Sequence, residues 1–403
     1  MQRFSARQYL AIDIANSYGL DKQDWDQRLA WFNEHEDHLL EMLPKAADPA
    51  MYYAGVQAWA QVKAGQPIGY PISLDATASG IQILAVLTGD RSAAELCNVV
   101  NTGKREDAYT NVYQHMLTKV GGESKIKRDD IKGAIVPAIY GSTAKPKEIF
   151  GEGALLAAFQ STMGELAPAA WELNEVFPEL WNPEALSHDW VLPDNFHVQV
   201  KVMAPVVETI QFLNEPVEIT YRVNAPTKEG RSLGANTIHS LDALVVREMS
   251  RRCSYDPAWV QLIRDILDGE VESRFTTTDE KNEAVRMVMV LWDHYVDSGY
   301  LSARILDYID SDTLTLVDPE EIRALIDSLP AKPFQVVSVH DCFRVLPNYA
   351  NDLRFQYNLQ LHLIARSTLL SFLLSQITGR TVQVGKLDPT LADDILDTDY
   401  ALS

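Results

Sequence analysis

Two aspartates stand where an ionised carboxylate is costly unless it has a partner. Asp75 closes the apolar run 72–74 and opens Ala76-Thr-Ala-Ser-Gly80-Ile-Gln82, after which apolar positions recur as one face of a helix. Asp341 follows His340 between the runs 334–339 and 342–346, which read as strand, tight turn, strand. A carboxylate between buried strands loses hydration and must be paired or bind a cation. Each has a plainer reading: Asp75 as a helix cap, Asp341 as a turn aspartate. His188-Asp189 in the same chain shows how common the dipeptide is.

A third stretch carries positive charge. Arg128 and Lys132 are four residues apart, so on a helix they share a face and could grip one polyphosphate. Lys132 to Tyr140 is two turns, about 12 Å along the axis, which suits phosphates at one end and a sugar or base at the other. Pro137 falls inside this helix and is expected to bend it near Gly133. The plainer reading is a solvated basic face followed by a core tyrosine. Two strand-end carboxylates and an Arg/Lys pair are the parts of two-metal phosphoryl or nucleotidyl transfer, with two Mg²⁺ ions roughly 4 Å apart. Sequence spacing alone does not bring Asp75 to Asp341.

The elements around these residues are mostly helical. Residues 1–65 read as helices, with Asp48-Pro49 in cap-then-proline order, Gly65 as a stop and a further helix over 24–42. Residues 105–120 are helical, and a Gly121-Gly122 turn leads into the 124–140 helix. Prolines interrupt a helical pattern over 155–181. Period-two alternation from His197 and again over 216–223 predicts a β-hairpin region, and 255–330 reads as a separate helical block without chemistry. A single long helix is expected over 353–377, followed by an acidic tail from Asp388.

Composition sets outer limits. At 403 residues, 46% hydrophobic and 23% charged, the chain has room for two or three soluble domains. Cys97, Cys253 and Cys342 form no CxxC or zinc-like pattern, so reduced thiols and no structural metal are expected. No apolar leader or uninterrupted spanning run predicts secretion or a membrane segment. The net charge of −21 argues against a generic nucleic-acid coat, because phosphate contacts need Lys and Arg. A polyanion would have to be held by a local basic site, by metal cations or by a partner protein.

In combination these residues resemble the bacteriophage and mitochondrial single-subunit DNA-dependent RNA polymerases. Asp75-Ala-Thr-Ala-Ser-Gly-Ile-Gln is similar to their motif A, Arg128-x₃-Lys132-x₇-Tyr140-Gly141 to motif B, and His340-Asp341-Cys-Phe to motif C. Asn236-Thr-Ile-His239-Ser240-Leu-Asp242 resembles the segment before motif C, and Asp394 to Ser403 the C-terminal foot. The resemblance implies an α/β (α+β) right-hand fold of palm and fingers, mostly helical with a small antiparallel palm sheet. It implies that Asp75 and Asp341 ligate two Mg²⁺ ions with help from the Ala76 carbonyl. Arg128 and Lys132 would hold the incoming triphosphate, with Lys132 donating a proton to pyrophosphate. Tyr140 would sit beside the sugar and His239 would contact the new base pair. The implied divisions are a helical module at 1–65, palm at 66–104, fingers at 105–240, a helical segment with an inserted block at 241–330, and palm plus foot at 331–403.

Departures from the pattern carry their own implications. Ala76 replaces a glycine without losing a carbonyl, and Cys342 and Arg344 replace Ser and Gly in motif C. The family's N-terminal domain, thumb and Asp-x-x-Gly-Arg motif have no counterpart; Thr227-Lys-Glu-Gly-Arg231 imitates the motif but lies after motif B. The resemblance therefore implies a second, basic subunit supplying the missing half, alongside a DNA template, RNA product and rNTPs, in the cytoplasm of an infected bacterial host. It leaves room for a single-stranded-DNA-binding or promoter factor. The hairpin region over 197–223 occupies the place of the family's promoter-reading loop. Competing readings are a palm-type DNA polymerase, which usually places a bulky Glu where this chain has Ser79-Gly80-Ile81-Gln82, and a non-catalytic transcription or replication factor.

Overall fold

A computed structural model describes residues 1–121, 126–230, 232–271 and 273–403. Gly122, Ser124 and Lys125, at the expected turn and helix start, and Arg231 of the imitated motif lie outside the described residues. The chain is mostly helical with small antiparallel sheets, as expected of the α/β class.

The N-terminal helices are α1 (Ala6–Ala15), α2 (Trp25–His35), the single turn α3 (Leu39–Met42) and α4 (Pro49–Lys63). The helix expected over 24–42 is broken, since 3-10 turns separate α2 from α3. Asp48 caps α4 through the Met51 amide, and Gly65, with φ of 72°, ends that segment as expected. Asp13 of α1 ties this layer to the first strand. Its carboxylate accepts from the Ser73 amide at 2.8 Å and from the Tyr70 hydroxyl at 2.7 Å.

Strand β1 (Ile72–Asp75) buries Ile72 and Leu74 and runs directly into α5 (Ser79–Thr88). Every residue of α5 is buried, so the helix is enclosed all round rather than along one face. It is surrounded by the helices Ala350–Arg366, Ser232–Cys253, Pro168–Val176 and Arg91–Leu96. After it come α6 (Arg91–Leu96), α7 (Ala108–Val120), α8 (Arg128–Ile139), α9 (Ala144–Phe150), α10 (Ala154–Leu166) and α11 (Pro168–Val176). Helix α7 begins three residues after the expected Arg105, where Asp107 caps it.

The hairpin region divides into two ribbons. β3 (His197–Lys201) pairs backwards with β2 (Ser187–Val191), while β4 (Met203–Phe212) pairs with β5 (Glu215–Asn224). The sequence reading missed β2 because its His188-Asp189 centre lacks a strand-like alternation; in the fold His188 is buried against Trp181.

Helix α12 (Ser232–Cys253) runs unbroken through the expected boundary at 240/241 and packs into the main core as far as Cys253. Helices α13 (Pro257–Leu267), α14 (Thr278–Ser298) and α15 (Pro319–Asp327) then gather a second hydrophobic core. Strands β6 (Val337–Val339) and β7 (Cys342–Val345) form the expected hairpin around His340-Asp341, but its outer strand is not buried: Val337 and Val339 are about 60% exposed. The long helix expected over 353–377 is two, α16 (Ala350–Arg366) and α17 (Leu369–Thr378). The break falls where the Thr368 amide leaves the helical ladder to donate to the Ser298 carbonyl.

The central sheet has the order β1-β7-β6, all antiparallel. The chain end adds to it on the other side of β1. Asp75 and Ser403 exchange both backbone hydrogen bonds, and Ala76 bridges Leu402. The segment read as an acidic tail is thus part of the core: Tyr400 stacks on Trp25 at 5.2 Å, and Ala401 and Leu402 are buried.

Candidate active site

The register of the central sheet decides where the carboxylates fall. Asp75 lies opposite Cys342, one residue from Asp341, and the Ala76 amide donates to the Asp341 carbonyl at 3.1 Å. The two residues, 266 positions apart in the chain, therefore lie side by side at one end of neighbouring strands. His340 makes the two-residue turn possible with a left-handed φ of 55°, a conformation uncommon for a non-glycine residue. Asp75 does not cap a helix. Helix α5 starts four residues later, with Ala78 at its cap position and no side-chain cap bond.

Gln82 locks the strand-to-helix junction. Fully buried, it donates to Thr77 Oγ1, the Cys97 carbonyl and the Ala401 carbonyl, and accepts from the Tyr357 hydroxyl at 2.7 Å. Every polar atom of that side chain is satisfied, so its burial orders the junction instead of destabilising it.

Asp75, Ala76, Asp341, Lys132 and Tyr140 line one cleft of about 250 Å³, together with Lys22 and Tyr109. The Asp75 carboxyl is held above the ordinary carboxylate range, first by desolvation at the cleft floor and then by the Asp341 charge. A cation between the two would relieve both effects. Among the described residues no group of three or more His, Cys, Asp or Glu side chains could hold a metal. Two carboxylates with a nearby carbonyl nevertheless fit Mg²⁺, which usually takes one or two protein carboxylates and fills its octahedron with phosphate oxygens and water.

Arg128 and Lys132 do share a face of α8, and both approach the Tyr109 ring, at 5.5 and 5.8 Å from its centre. Their partners differ. Lys132 lines the cleft, whereas the Arg128 guanidinium is engaged by Asp107 at 2.6 Å and by Thr110. Arg128 would have to exchange Asp107 for a phosphate to act as the sequence implies.

At the far end of the cleft the Tyr140 ring lies against His239 of α12, their centres 4.3 Å apart and their planes tilted by 32°. Burial and the nearby Asp242 charge push the Tyr140 hydroxyl up to about 12. Burial, then His340, lowers His239, so its imidazole is neutral near pH 7. Gly80 permits the close approach of α5 to Ile139 and Tyr140: a Cβ there would lie 2.9 Å from Ile139 Cγ2 and 3.2 Å from the Tyr140 oxygen.

Sequence reasoning missed three residues here. Lys22 reaches the cleft from the turn after α1, and no pattern in the first 65 residues signals it. Tyr109 is an ordinary helical aromatic until α7 packs on α8. Asp242 stands in the segment that resembles the stretch before motif C, whose spacing assigns it no partner; it accepts from Ser79 at 3.2 Å, and burial followed by the Asp341 charge raises it to about 6. A larger groove of about 910 Å³ beside α17 and residues 379–385 has only Asp297 and Arg380 as charged lining. It offers no comparable chemistry.

The sequence profile of the family described as DNA-dependent RNA polymerase matches residues 4–147. That segment contains Asp75, Arg128, Lys132 and Tyr140, while His239 and Asp341 lie beyond it. The chain is similar to the DNA-directed RNA polymerase of Pseudomonas phage phiKMV, 29% identical over 142 residues, covering 31% of this chain and 17% of that protein. It is also similar to the probable DNA-directed RNA polymerase of Neurospora crassa, 25% identical over 157 residues, covering 34% of this chain and 18% of the relative. The matched stretch thus spans less than a fifth of either relative.

Proposed function

We propose that this chain is the catalytic part of a phage-type DNA-directed RNA polymerase, joining rNTPs on a DNA template by nucleotidyl transfer. The observation that carries this reading is the meeting of Asp341 with Asp75, Lys132 and Tyr140 in one cleft, although Asp341 lies outside the segment that matches the polymerase family.

In this reading Asp75 and Asp341 bind two Mg²⁺ ions with the Ala76 carbonyl. When bound, the ions supply positive charge to the attacking 3′-oxygen and to the departing pyrophosphate. The 3′-hydroxyl gives its proton to solvent water, a new P–O bond forms at the α-phosphorus, and the α–β phosphoanhydride bond breaks to release pyrophosphate. Lys132, on the phosphate side, donates a proton to the leaving pyrophosphate; Arg128 joins it on the triphosphate after release from Asp107. Tyr140 and His239 hold the sugar and base end. Small residues at 79 and 80 let Tyr140 lie against α5, where a bulky side chain would displace it, and this supports RNA over DNA synthesis.

The strand β1 to α6 region and the β6–β7 hairpin with the chain end would serve as palm, and the α7 to β5 region as fingers. A second, basic subunit would supply the template-gripping half and an Asp-x-x-Gly-Arg segment. The chain's charge of −21 supports such a partner, since an acidic surface holds DNA poorly. The setting would be the cytoplasm of an infected bacterium; no helix among the described residues is long and apolar enough to cross a membrane. The β4–β5 ribbon would occupy the promoter-reading position.

The test is template-directed extension by the wild-type protein and Asp341→Asn, supplied with any chain that copurifies. Extension should fall by about 10³-fold or more, reflecting several kcal/mol of lost charge stabilisation, with partner binding unchanged. Undiminished extension would rule out the assignment.

A further inference from the structure

The β4–β5 ribbon is amphipathic, yet it is exposed over nearly all its length. Its register sets Val206 opposite Tyr221, Glu208 opposite Ile219, Ile210 opposite Val217 and Phe212 opposite Glu215. Opposed side chains leave a sheet on the same side, so these residues share one face, and the Tyr221 hydroxyl donates to Glu208 across it at 2.7 Å. Apart from the two glutamates that face is apolar. Ile210, Phe212, Val217, Ile219 and Tyr221 are between 39% and 62% exposed. A two-stranded ribbon is marginal in water until its apolar side is packed.

The tip carries a second cost. Leu213 and Asn214 form the two-residue loop with φ of 51° and 67°, the left-handed pair used by tight hairpins and adopted most readily by Asn and Gly. A leucine is strained there, and Leu213 is 81% exposed beside Phe212. Neither the turn nor the cores of this chain gain from that side chain. An apolar contact from outside the chain does.

Charge identifies the occupant. Residues 203–224 hold Glu208, Glu215 and Glu218 against a single cation, Arg222, which lies on the opposite, more polar face. DNA fits poorly, because Lys and Arg on the phosphates hold a protein in a groove, including one that inserts apolar wedges. A second copy fits poorly too, since two-fold pairing of this face would bring Glu208 and Glu215 near their own counterparts. A protein surface whose apolar patch is ringed by Lys or Arg matches both the face and its charges.

We propose that the Phe212–Leu213 tip and the apolar face of the β4–β5 ribbon dock the second, basic subunit. The inference rests on the two-subunit reading above and gives the ribbon a protein partner; DNA contacts near it come from that partner's cations.

The test follows dissociation of the complex with the basic chain that copurifies, by sedimentation on dilution at low and high salt. Leu213→Gly should weaken association about tenfold, while the melting temperature of this chain alone stays unchanged or rises, because glycine takes that φ freely. Phe212→Ser combined with Ile219→Ser should weaken it at least as far; if that variant misfolds, Leu213→Gly decides. Glu208→Lys combined with Glu215→Lys should weaken association and remove much of its salt dependence. Thr209→Ala combined with Thr220→Ala, on the opposite face, should change nothing. Association that survives Leu213→Gly overturns the proposal and leaves the two-subunit reading intact, whereas absence of any basic partner overturns both. Self-association of this chain that Leu213→Gly abolishes would identify a second copy. Duplex DNA binding that Leu213→Gly weakens and the glutamate reversals strengthen would identify DNA. Either result, with subunit association unmoved, overturns the proposal.

Discussion

The two hydrophobic cores of this molecule treat buried polar groups differently. In the main core they tie together distant parts of the chain. Gln82 reaches Cys97, Tyr357 and Ala401; Arg354 reaches Gln2, Tyr9 and Asp399; Asp13 reaches Tyr70 and Ser73. In the second core, buried Asp310 mainly closes its own loop, accepting from the Asp312 and Thr313 amides, with Ser273 as a further donor. Its ion pairs lie outside, as in Arg264–Asp327 and Arg323–Asp268. Apolar packing alone tolerates small shifts of one element over another, while a satisfied long-range polar network permits few arrangements. The cleft is built where that network is dense.

A charged seam joins the two cores, and breaking it should have the largest effect on stability. Glu248 of α12 is fully buried and accepts from Ser302, the Ala303 amide and Arg251, while Asp194 binds Arg247 and Arg251. Glu248→Ala should cost about 3–5 kcal/mol, as for one partner lost from a buried pair. Urea unfolding should then separate into two transitions; a single unshifted transition would show that the cores are coupled by apolar contact alone.

Asp13 offers a nearly equal effect that depends on pH. Burial raises its carboxyl to about 6, against backbone and tyrosine hydrogen bonds that oppose the shift. Below about pH 4 both folded and unfolded states hold the proton and the contribution to stability is whole. Between about pH 4 and 6 the unfolded chain releases it while the folded one retains it, so stability falls as pH rises. The loss should reach about 3 kcal/mol by pH 7. Comparing wild type with Asp13→Asn by denaturation from pH 4 to 7 isolates this term, since the variant should lack that part of the slope. An equal slope in both would place the proton elsewhere.

Gly80→Ala should cost about 1–3 kcal/mol by overpacking α5 against Ile139 and Tyr140. A nucleotide affinity that falls with it would show that the main core passes strain directly to the cleft. The smallest effect is expected on the second core's surface. Arg264 and Asp327, 2.7 Å apart but 35% and 57% exposed, form a pair that Arg264→Ala should weaken by less than about 1 kcal/mol in a thermal melt. A larger loss would mean that this core, too, relies on its charges.

Much of the local structure was legible in the sequence. Asp48-Pro49 started α4, the apolar run 72–74 became β1, and the pattern around His340-Asp341 became a hairpin, because caps, prolines and alternation act over a few residues. The errors fell where distant contacts override such signals. The break at Ser367 depends on a carbonyl at Ser298, β2 depends on β3, and the enclosure of α5 depends on helices from three later segments. Lys22 carried no local mark at all, because only the packing of the first module on β1 turns it towards the cleft.

The chain by itself determined the types of group available: two strand-end aspartates, a basic pair on one helical face, and a tyrosine two turns on. Residue identity and short spacing are written directly in the sequence. Only the tertiary structure decided which of them meet. The β1-β7 register brings Asp75 beside Asp341, a separate ion pair turns Arg128 towards Asp107, and the packing of α12 places Asp242 behind Ser79. Those outcomes rest on strand pairing and helix packing between residues far apart in the chain, and no local pattern encodes them.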